Sequence, residues 1–281
     1  MPNKNFLIGL ALLMWVVFYW LFKDLNLLNQ NYYSVNFFNI QLWDAILIKT
    51  PENRTIVIDW GNWDELLAKL SKKLWFFERK IDLVILSHEQ ADHVWGLVEL
   101  VRRFEIWEVW LNWAEYFSPD YQEFQKILKE KNIQVKIVNE NSDLLFEKDL
   151  FLDVLYPFEN YEVWERVLEN NNNTSVIVKV KIWKEWKEIL FTWDEEKELE
   201  EILIQRGVDL KSDILKSPHH GSRTSSSTGF ISLVKPEIAV IQAAKDNRFG
   251  HPNQEILDRY NFFWIETLIT WVEGDIELRF E

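Results

Sequence analysis

The chain has 281 residues and is acidic, with 45 Asp and Glu against 31 Lys and Arg and a formal net charge of −14 at pH 7. This charge argues against binding nucleic acid through a broad basic face. The absence of cysteine excludes disulfide bonds and thiolate metal ligands. The length allows one large core, or two sheets covered by helices.

The first predicted element is an apolar stretch at residues 6–22, which follows Lys4 and precedes Lys23. Its 17 uncharged residues are at the short end of the roughly 17–25 that span a bilayer. No small-residue cleavage site follows, so residues 1–32 are predicted to form an uncleaved signal anchor and a short linker. The N-terminal lysine predicts a single-pass membrane protein with an extracytoplasmic catalytic domain. A buried core helix is the alternative, disfavoured because the stretch is apolar on every face.

Residues 33–281 alternate between strand-like and helix-like segments, which predicts one domain of the α/β class with sheets between helical layers. The strand-like segments are residues 46–48, 55–58, 83–86, 176–180, 189–192 and 238–241. The helix-like segments are residues 63–74, 121–131, 195–205 and 254–260.

Residues 87–93 read Ser-His-Glu-Gln-Ala-Asp-His and directly follow the apolar run 81–86. A loop at the end of a strand can turn His88, Asp92 and His93 toward one point, and imidazole and carboxylate are ligands for Zn²⁺ and similar ions. Two more of the five histidines, His219 and His220, are adjacent later in the chain. A strand cap with solvated loop residues is the alternative, which this concentration of histidines disfavours. The sequence therefore predicts a metal site.

These residues resemble the H-x-H-x-D-H signature of the metallo-β-lactamase fold, and more narrowly the hydrolase domain of ComEC-type competence proteins and its free-standing relatives. The stretches that match in order are residues 35–40 with 44–48, 55–59, 87–93, 172–176, 190–194, 213–222 and 246–252. The resemblance implies a four-layer αβ/βα metallo-β-lactamase sandwich over residues 33–281 and the activity of a metal-dependent hydrolase.

The resemblance also implies roles for single residues. The implied metal ligands are His88 in the first position, Asp92 and His93 in the second, Asp194 as the bridge, and one of His219 and His220, with the choice left open. The implied catalytic residues are Asp92, Asp194, Asp59 and His251. Asp59 would orient a ligand histidine. Asp44 and His251 also lie in matched stretches, with a plain loop role as the alternative for each.

A small basic rim is predicted near this site, because Lys216, Arg223 and Arg248 accompany the matched stretches. Such a rim can hold one or two substrate phosphates. Solvated surface charge is the alternative for each residue.

Gln90 departs from the signature, because it stands where the second histidine belongs and an amide is a poor ligand for zinc. No additional histidine is found near residues 153–157, where many members of the fold have one. The predicted cofactor is therefore Zn²⁺ or Mn²⁺, with one or two ions per chain.

Such a site predicts a hydrolase, because a bound divalent ion supplies hydroxide for attack at neutral pH. The favoured activity is that of a phosphodiesterase or nuclease that acts outside the membrane on a phosphodiester or nucleic acid, and DNA uptake is the process in which it is expected to act. The alternatives are a cell-envelope phosphorylcholine-esterase-like hydrolase and a non-catalytic anchored module with a degenerate metal site. A monomer is expected, and a separate channel protein would be the partner in uptake, since only one apolar span is present.

Tryptophan stands at four positions where the family pattern has glycine: residues 43, 60, 95 and 193. The chain has 8 Gly and 16 Trp, whereas ordinary usage of about 7% predicts roughly 20 glycines. We hypothesise that the source reads UGA codons as glycine and that these tryptophans arise from standard translation of the gene. A genuinely tryptophan-rich protein is the alternative, since Trp75, Trp107 or Trp110 fit core aromatic positions.

Overall fold

The computed structural model describes residues 3–28, 31–41, 43–61, 65–75, 78–114, 116–159 and 170–281, with backbone alone at 21–28. It begins with helix α1 (Lys4–Leu28), whose apolar side chains from Phe6 to Trp20 are exposed. Lys23 and Asp24 lie within α1, so its uncharged stretch ends at Phe22. No helix in the described part of the chain is long and apolar enough to cross a membrane. The predicted anchor is therefore not supported, and the predicted localisation and domain boundary stay predictions.

The first sheet has seven strands within the described residues, in the order β14-β1-β2-β3-β4-β5-β6. They are β1 (Tyr33–Phe37), β2 (Ala45–Lys49), β3 (Thr55–Trp60), β4 (Lys80–Ile85), β5 (Glu105–Leu111), β6 (Gln134–Ile137) and the C-terminal β14 (Ile276–Phe280). Strands β3 to β6 are parallel and the others antiparallel. The parallel strands are connected by helices, as parallel pairing requires: α2 (Leu66–Lys73), α3 (Ala91–Arg103) and α4 (Pro119–Glu130).

The second sheet also has seven strands in the described ranges, in the order β13-β12-β11-β10-β9-β8-β7. They are β7 (Leu144–Glu147), β8 (Leu150–Tyr156), β9 (Ile177–Ile182), β10 (Lys187–Phe191), β11 (Ile214–Lys216), β12 (Ile238–Ile241) and β13 (Glu266–Ile269). Strands β10 to β13 are parallel. The helices of this half are α5 (Lys197–Gln205), α6 (Thr228–Val234), α7 (Gln254–Phe262) and the short α8 (Thr270–Glu273).

Three hydrophobic clusters hold these layers together. One lies between the sheets and joins side chains such as Phe37 and Ile85 to Val178 and Phe191 of the facing sheet. The second packs α2, α3 and α4 on the outer face of the first sheet. The third packs α5, α6 and α7 on the outer face of the second sheet. The predicted α/β class and its sandwich of two sheets between helical layers are confirmed.

The predicted segments overlap observed elements, with one informative difference. Asp92 and His93 were expected on a loop but lie in the first turn of α3. Buried Val94, Leu97 and Val101 have helical spacing, and an acidic residue in a first turn interacts favourably with the helix dipole. The predicted helix at 63–74 corresponds to α2, and its residues 63 and 64 lie outside the described residues.

Among the described residues, three tryptophans have a left-handed backbone conformation: φ is 56° at Trp186, 55° at Trp193 and 59° at Trp264. Bulky residues rarely adopt this conformation, whereas glycine does so without steric cost. Trp186 and Trp264 are 84% and 92% exposed, so tertiary packing does not hold them in place. These positions support the recoded-glycine hypothesis and extend it beyond Trp193.

The other three tryptophans of that hypothesis lack this backbone signature. Trp43, Trp60 and Trp95 do not have positive φ. The indole nitrogen of the fully buried Trp60 has no hydrogen-bond partner among the described residues, which costs about 1–3 kcal/mol. Of the four positions where the family pattern has glycine, only 193 therefore has left-handed geometry.

Replacing both exposed left-handed tryptophans, in a W186G/W264G variant, is expected to stabilise the protein. Each change should relieve about 1–2 kcal/mol of backbone strain, measured as the free energy of unfolding in urea. W107G is the matched control, because Trp107 is exposed on strand β5 and does not have positive φ. Glycine at this position should destabilise the protein by about 0.5–1 kcal/mol. Equal destabilisation by both variants would contradict the hypothesis, as would tryptophan masses at 186 and 264 in protein purified from its source.

Candidate metal centre

Four side chains meet where the two sheets present the ends of their strands. Within the described part of the chain, Asp44, His93, Asp194 and His220 offer ligand atoms that all lie within 4.8 Å of one another. His93 follows β4, Asp194 follows β10 and His220 follows β11, while Asp44 immediately precedes β2. All four residues are buried. The carboxyl ends of parallel strands commonly form binding sites, because polar loop residues from several strands converge there.

Hydrogen bonds at Nδ1 orient both imidazoles of this group. His93 Nδ1 lies 2.8 Å from Asp59 Oδ2, and the Ser87 amide and hydroxyl donate to Asp59 at 2.8 and 2.6 Å. His220 Nδ1 lies 2.8 Å from the backbone carbonyl of Gln242. Because a carbonyl only accepts, Nδ1 of His220 carries a proton, and Nε2 is the atom that faces the centre. This arrangement is typical of histidines that bind metals through Nε2.

The atoms that face the centre fit a divalent cation. His93 Nε2, His220 Nε2 and Asp194 Oδ1 are buried and form no hydrogen bond with any described residue. His93 Nε2 lies 3.5 Å from Asp194 Oδ2, and His220 Nε2 lies 3.5 Å from Asp194 Oδ1. A buried polar atom without a partner costs about 1–3 kcal/mol, which a shared cation would offset. Imidazole nitrogen with carboxylate oxygen is a donor set that suits zinc.

The local charges also favour a cation. Burial opposes ionisation of Asp194, but His220 and His93 hold the pKa of this carboxyl well below its usual range. Burial likewise opposes protonation of His93, but the carboxylates of Asp59, Asp92 and Asp194 raise its pKa well above the usual value. The centre therefore keeps its negative charge and stabilises positive charge placed within it.

Asp44 is the member of the group for which the sequence left a loop role open. Its Oδ2 lies 2.5 Å from Lys216 Nζ, and both side chains are fully buried. Its Oδ1 lies 3.6 Å from His220 Nδ1. The structure thus corrects the phosphate contact expected for Lys216, because the buried ammonium of Lys216 is occupied by Asp44.

Two predicted ligands, His88 and Asp92, lie beside the four-residue group. His88 Nδ1 is 3.0 Å from Ser87 Oγ, and its buried Nε2 has no hydrogen-bond partner among the described residues. Burial, followed by the neighbouring His93, lowers the pKa of His88 well below its usual value, so this imidazole is neutral. Asp92 lines the cleft, with Oδ2 3.9 Å from His93 Nε2.

Of the two adjacent histidines, His220 belongs to the group and His219 lies at its rim. His219 Nδ1 is 3.3 Å from Glu196 Oε1, and its Nε2 is 3.9 Å from Asp194 Oδ2. Both histidines have left-handed backbones, with φ of 46° and 53°. Such conformations cost about 1–3 kcal/mol each and are found at functional sites whose surroundings enforce them. Gly221 packs so closely on Pro252 that a Cβ atom would lie 2.7 Å from the proline Cβ.

Gln90, which stands where the signature has its second histidine, is engaged away from the centre. It is the N-cap residue of α3, and its side-chain amide donates to Asn172 Oδ1. Asn172 in turn donates to Glu196 Oε1 at 3.1 Å, and Glu196 contacts His219. The position of the second signature histidine thus takes part in a chain of polar contacts along the rim.

A cleft of about 790 Å³ opens over the group, and His251 and Arg248 are among the residues that line it. Burial, then the neighbouring His219 and His220, lowers the pKa of His251 to about 4, so its imidazole is neutral at pH 7. Arg223 lines an adjoining depression with His219 and His251. Of the three predicted phosphate contacts, Arg248 is therefore in the cleft, Arg223 is next to it and Lys216 is buried.

Gln242 is a site residue that sequence reasoning missed. Besides accepting from His220 through its carbonyl, it donates its amide to the carbonyls of Phe38 and Ala45, both at 3.1 Å. It therefore ties the segment that carries Asp44 to the histidine turn. The available signal was weak: a single amide residue directly after the apolar strand β12.

Comparison with known proteins places the fold and the site in context. Residues 44–244 match the Metallo-beta-lactamase superfamily. ComE operon protein 3 of Bacillus subtilis (strain 168) is 28% identical over 208 residues, which are 72% of this chain and 25% of that protein. Competence protein ComA of Neisseria gonorrhoeae is 26% identical over 245 residues, which are 85% of this chain and 32% of that protein. The chain thus spans about a quarter to a third of these relatives.

Solved structures share the fold at low sequence identity. The metallo-beta-lactamase fold protein YhfI from Bacillus subtilis superposes with a TM-score of 0.57 at 13% identity, covering 88% of this chain and 99% of that one. Igni18, a metallo hydrolase from Ignicoccus hospitalis, gives a TM-score of 0.54 at 13% identity, covering 89% of this chain and all of that one (100%). At these identities the likeness concerns the fold alone.

The adjacent histidines provide a matched test of the four-residue group. His220→Ala is expected to lower metal affinity by at least about 100-fold, because it removes a ligand and even outer partners of ligands contribute 10–100-fold. His219→Ala should change affinity by less than about 10-fold. Elemental analysis after dialysis gives ions per chain, and competition with a chelating dye gives the affinity. A larger loss in His219→Ala than in His220→Ala would contradict the assignment.

Proposed function

Since the chain belongs to the metallo-beta-lactamase superfamily, we propose that it is a metal-dependent phosphodiesterase that cleaves nucleic acid. The observation that carries the proposal is the set of partnerless Nε2 and Oδ1 atoms of His93, His220 and Asp194, which lie beneath an open cleft. Zn²⁺ or Mn²⁺ is the proposed ion, held by these three residues and Asp44. When bound, such an ion lowers the pKa of coordinated water toward about 7 and polarises a phosphoryl oxygen.

Residues at the cleft supply the fixed negative charge, the phosphate contacts and the proton acceptor that the proposed reaction needs. Asp194, with both oxygens beside imidazoles of the group, fixes negative charge at the base of the cleft. Arg248 on the cleft wall and Arg223 beside it provide local positive charge for a phosphodiester in an otherwise acidic protein. His251 is neutral at pH 7, because its pKa is about 4, so it can accept a hydrogen bond or a proton from the reacting group.

The acidic surface favours a substrate that is held at one or two phosphates. It disfavours a substrate that is bound along a long tract of nucleic acid. With a net charge of −14, the protein as a whole repels a polyanion, and Arg248 and Arg223 provide positive charge at the cleft. This favours attack near a strand end, where few phosphates must approach the acidic surface.

A role in DNA uptake is part of the same proposal. It is supported by the names of the matched relatives, a ComE operon protein and a competence protein. An extracytoplasmic location and a separate membrane channel as partner belong to this proposal, as does the monomeric state.

The protein reconstituted with Zn²⁺ or Mn²⁺ is expected to hydrolyse bis-p-nitrophenyl phosphate and a single-stranded oligonucleotide. EDTA should abolish both activities, and added metal should restore them. Asp194→Asn should reduce kcat/KM by at least about 100-fold, since charge stabilisation by the metal site is worth several kcal/mol.

Asp258→Asn is the matched control, because Asp258 is exposed on α7 and does not line the cleft. Cleavage of a phosphorylcholine ester but not of the oligonucleotide would favour the cell-envelope alternative. A metal-loaded protein that cleaves none of these substrates would favour the non-catalytic module.

A further inference from the structure

One wall of the cleft carries a continuous stack of a cation and three rings. The Arg248 guanidinium lies 4.6 Å from the centroid of the Phe249 ring. Phe249 stacks on His251 at 5.7 Å with an interplanar angle of 25°, and His251 meets His219 edge-on at 5.5 Å. His219 Nε2 lies 3.9 Å from Asp194 Oδ2, so the stack leads from the cleft rim to the metal-binding group.

Phe249 is the outermost ring of this stack and remains 55% exposed within the cleft. It contributes to none of the three hydrophobic clusters among the described residues. Packing in the hydrophobic core therefore does not account for this phenylalanine, and its position on the wall of the cleft suits contact with a ligand.

Arg248, which lies on the outer side of the Phe249 ring, is readily displaced from it. A cation on an exposed aromatic face is held weakly, and Arg248 itself is exposed. A planar, uncharged ring that takes this place gains stacking area and releases the guanidinium to bind a neighbouring phosphate.

We propose that Phe249 is a base-stacking residue, and that the substrate is consequently single-stranded nucleic acid whose unpaired base rests on this ring while its phosphate points toward Asp194. The proposal rests on the phosphodiesterase function proposed above. It assigns Arg248 the adjoining phosphate. A paired base is stacked inside its duplex and does not reach the ring unless the duplex opens, so the stack selects unpaired strands.

The test compares two oligonucleotides of equal length and charge, oligothymidylate and a fully abasic strand, with the metal-loaded full chain. The wild-type protein should prefer the base-bearing strand by about 5- to 100-fold, the range that stacking of one base provides. The preference is measured in kcat/KM and, independently of cleavage, in Kd by fluorescence anisotropy. Phe249→Ala should reduce the ratio to about one, whereas Phe249→Tyr, which keeps the aromatic face, should retain it.

Phe262→Ala is the matched control, because Phe262 is also exposed, at 76% against 55% for Phe249, and lies at the end of α7 outside the cleft. It should keep both the activity and the preference. Melting temperatures of all variants separate misfolding from loss of the ring, with Phe249→Tyr as the folded reference. Equal handling of both strands by the wild type, or an unchanged preference in Phe249→Ala, would overturn the stacking role. Binding preference without cleavage would instead overturn the phosphodiesterase function and leave the stacking role standing.

Discussion

Asp59 and Gln242 each contact the Nδ1 atom of a buried histidine, and these two hydrogen bonds determine what the centre can bind. They turn the Nε2 atoms of His93 and His220 toward Asp194, where the protein offers no hydrogen-bond partner within its described residues. Asp59 is fixed by the strand end of the first sheet, and Gln242 by that of the second. The centre therefore forms only when the two sheets are packed against each other, so metal binding is coupled to folding.

The sequence predicted those parts of the site that depend on local pattern. The cluster of His88, Asp92 and His93 follows a β-branched run, and of these three residues His93 belongs to the four-residue group. Asp44 is different, because its role depends on Lys216, which is distant in sequence and reaches it only through the sandwich. Whether a charged side chain faces the cleft or the core depends on tertiary packing, which the local sequence does not reveal. Both residues were predicted at a basic rim, but Lys216 is buried whereas Arg248 lines the cleft.

The tryptophans bear on this centre as well as on stability. Trp193 lies between Thr192 and Asp194, with a left-handed backbone and its indole donating to the Val176 carbonyl. If glycine is the native residue at position 193, the left-handed turn that positions Asp194 is free of the steric strain that a side chain causes. Composition raised this hypothesis, but only the backbone angles distinguish Trp186 and Trp264 from tryptophans with ordinary conformations such as Trp107, because a single sequence does not reveal the sign of φ.

The central claim is that Asp44, His93, Asp194 and His220 form a divalent metal site with two imidazole ligands. X-ray absorption at the zinc edge, on the full chain reconstituted with one equivalent of Zn²⁺, tests it most directly. The expected spectrum shows two imidazole nitrogens at about 2.0–2.1 Å, with oxygen in the remaining positions. A spectrum that shows no imidazole scattering, or zinc bound by oxygen alone, would contradict it.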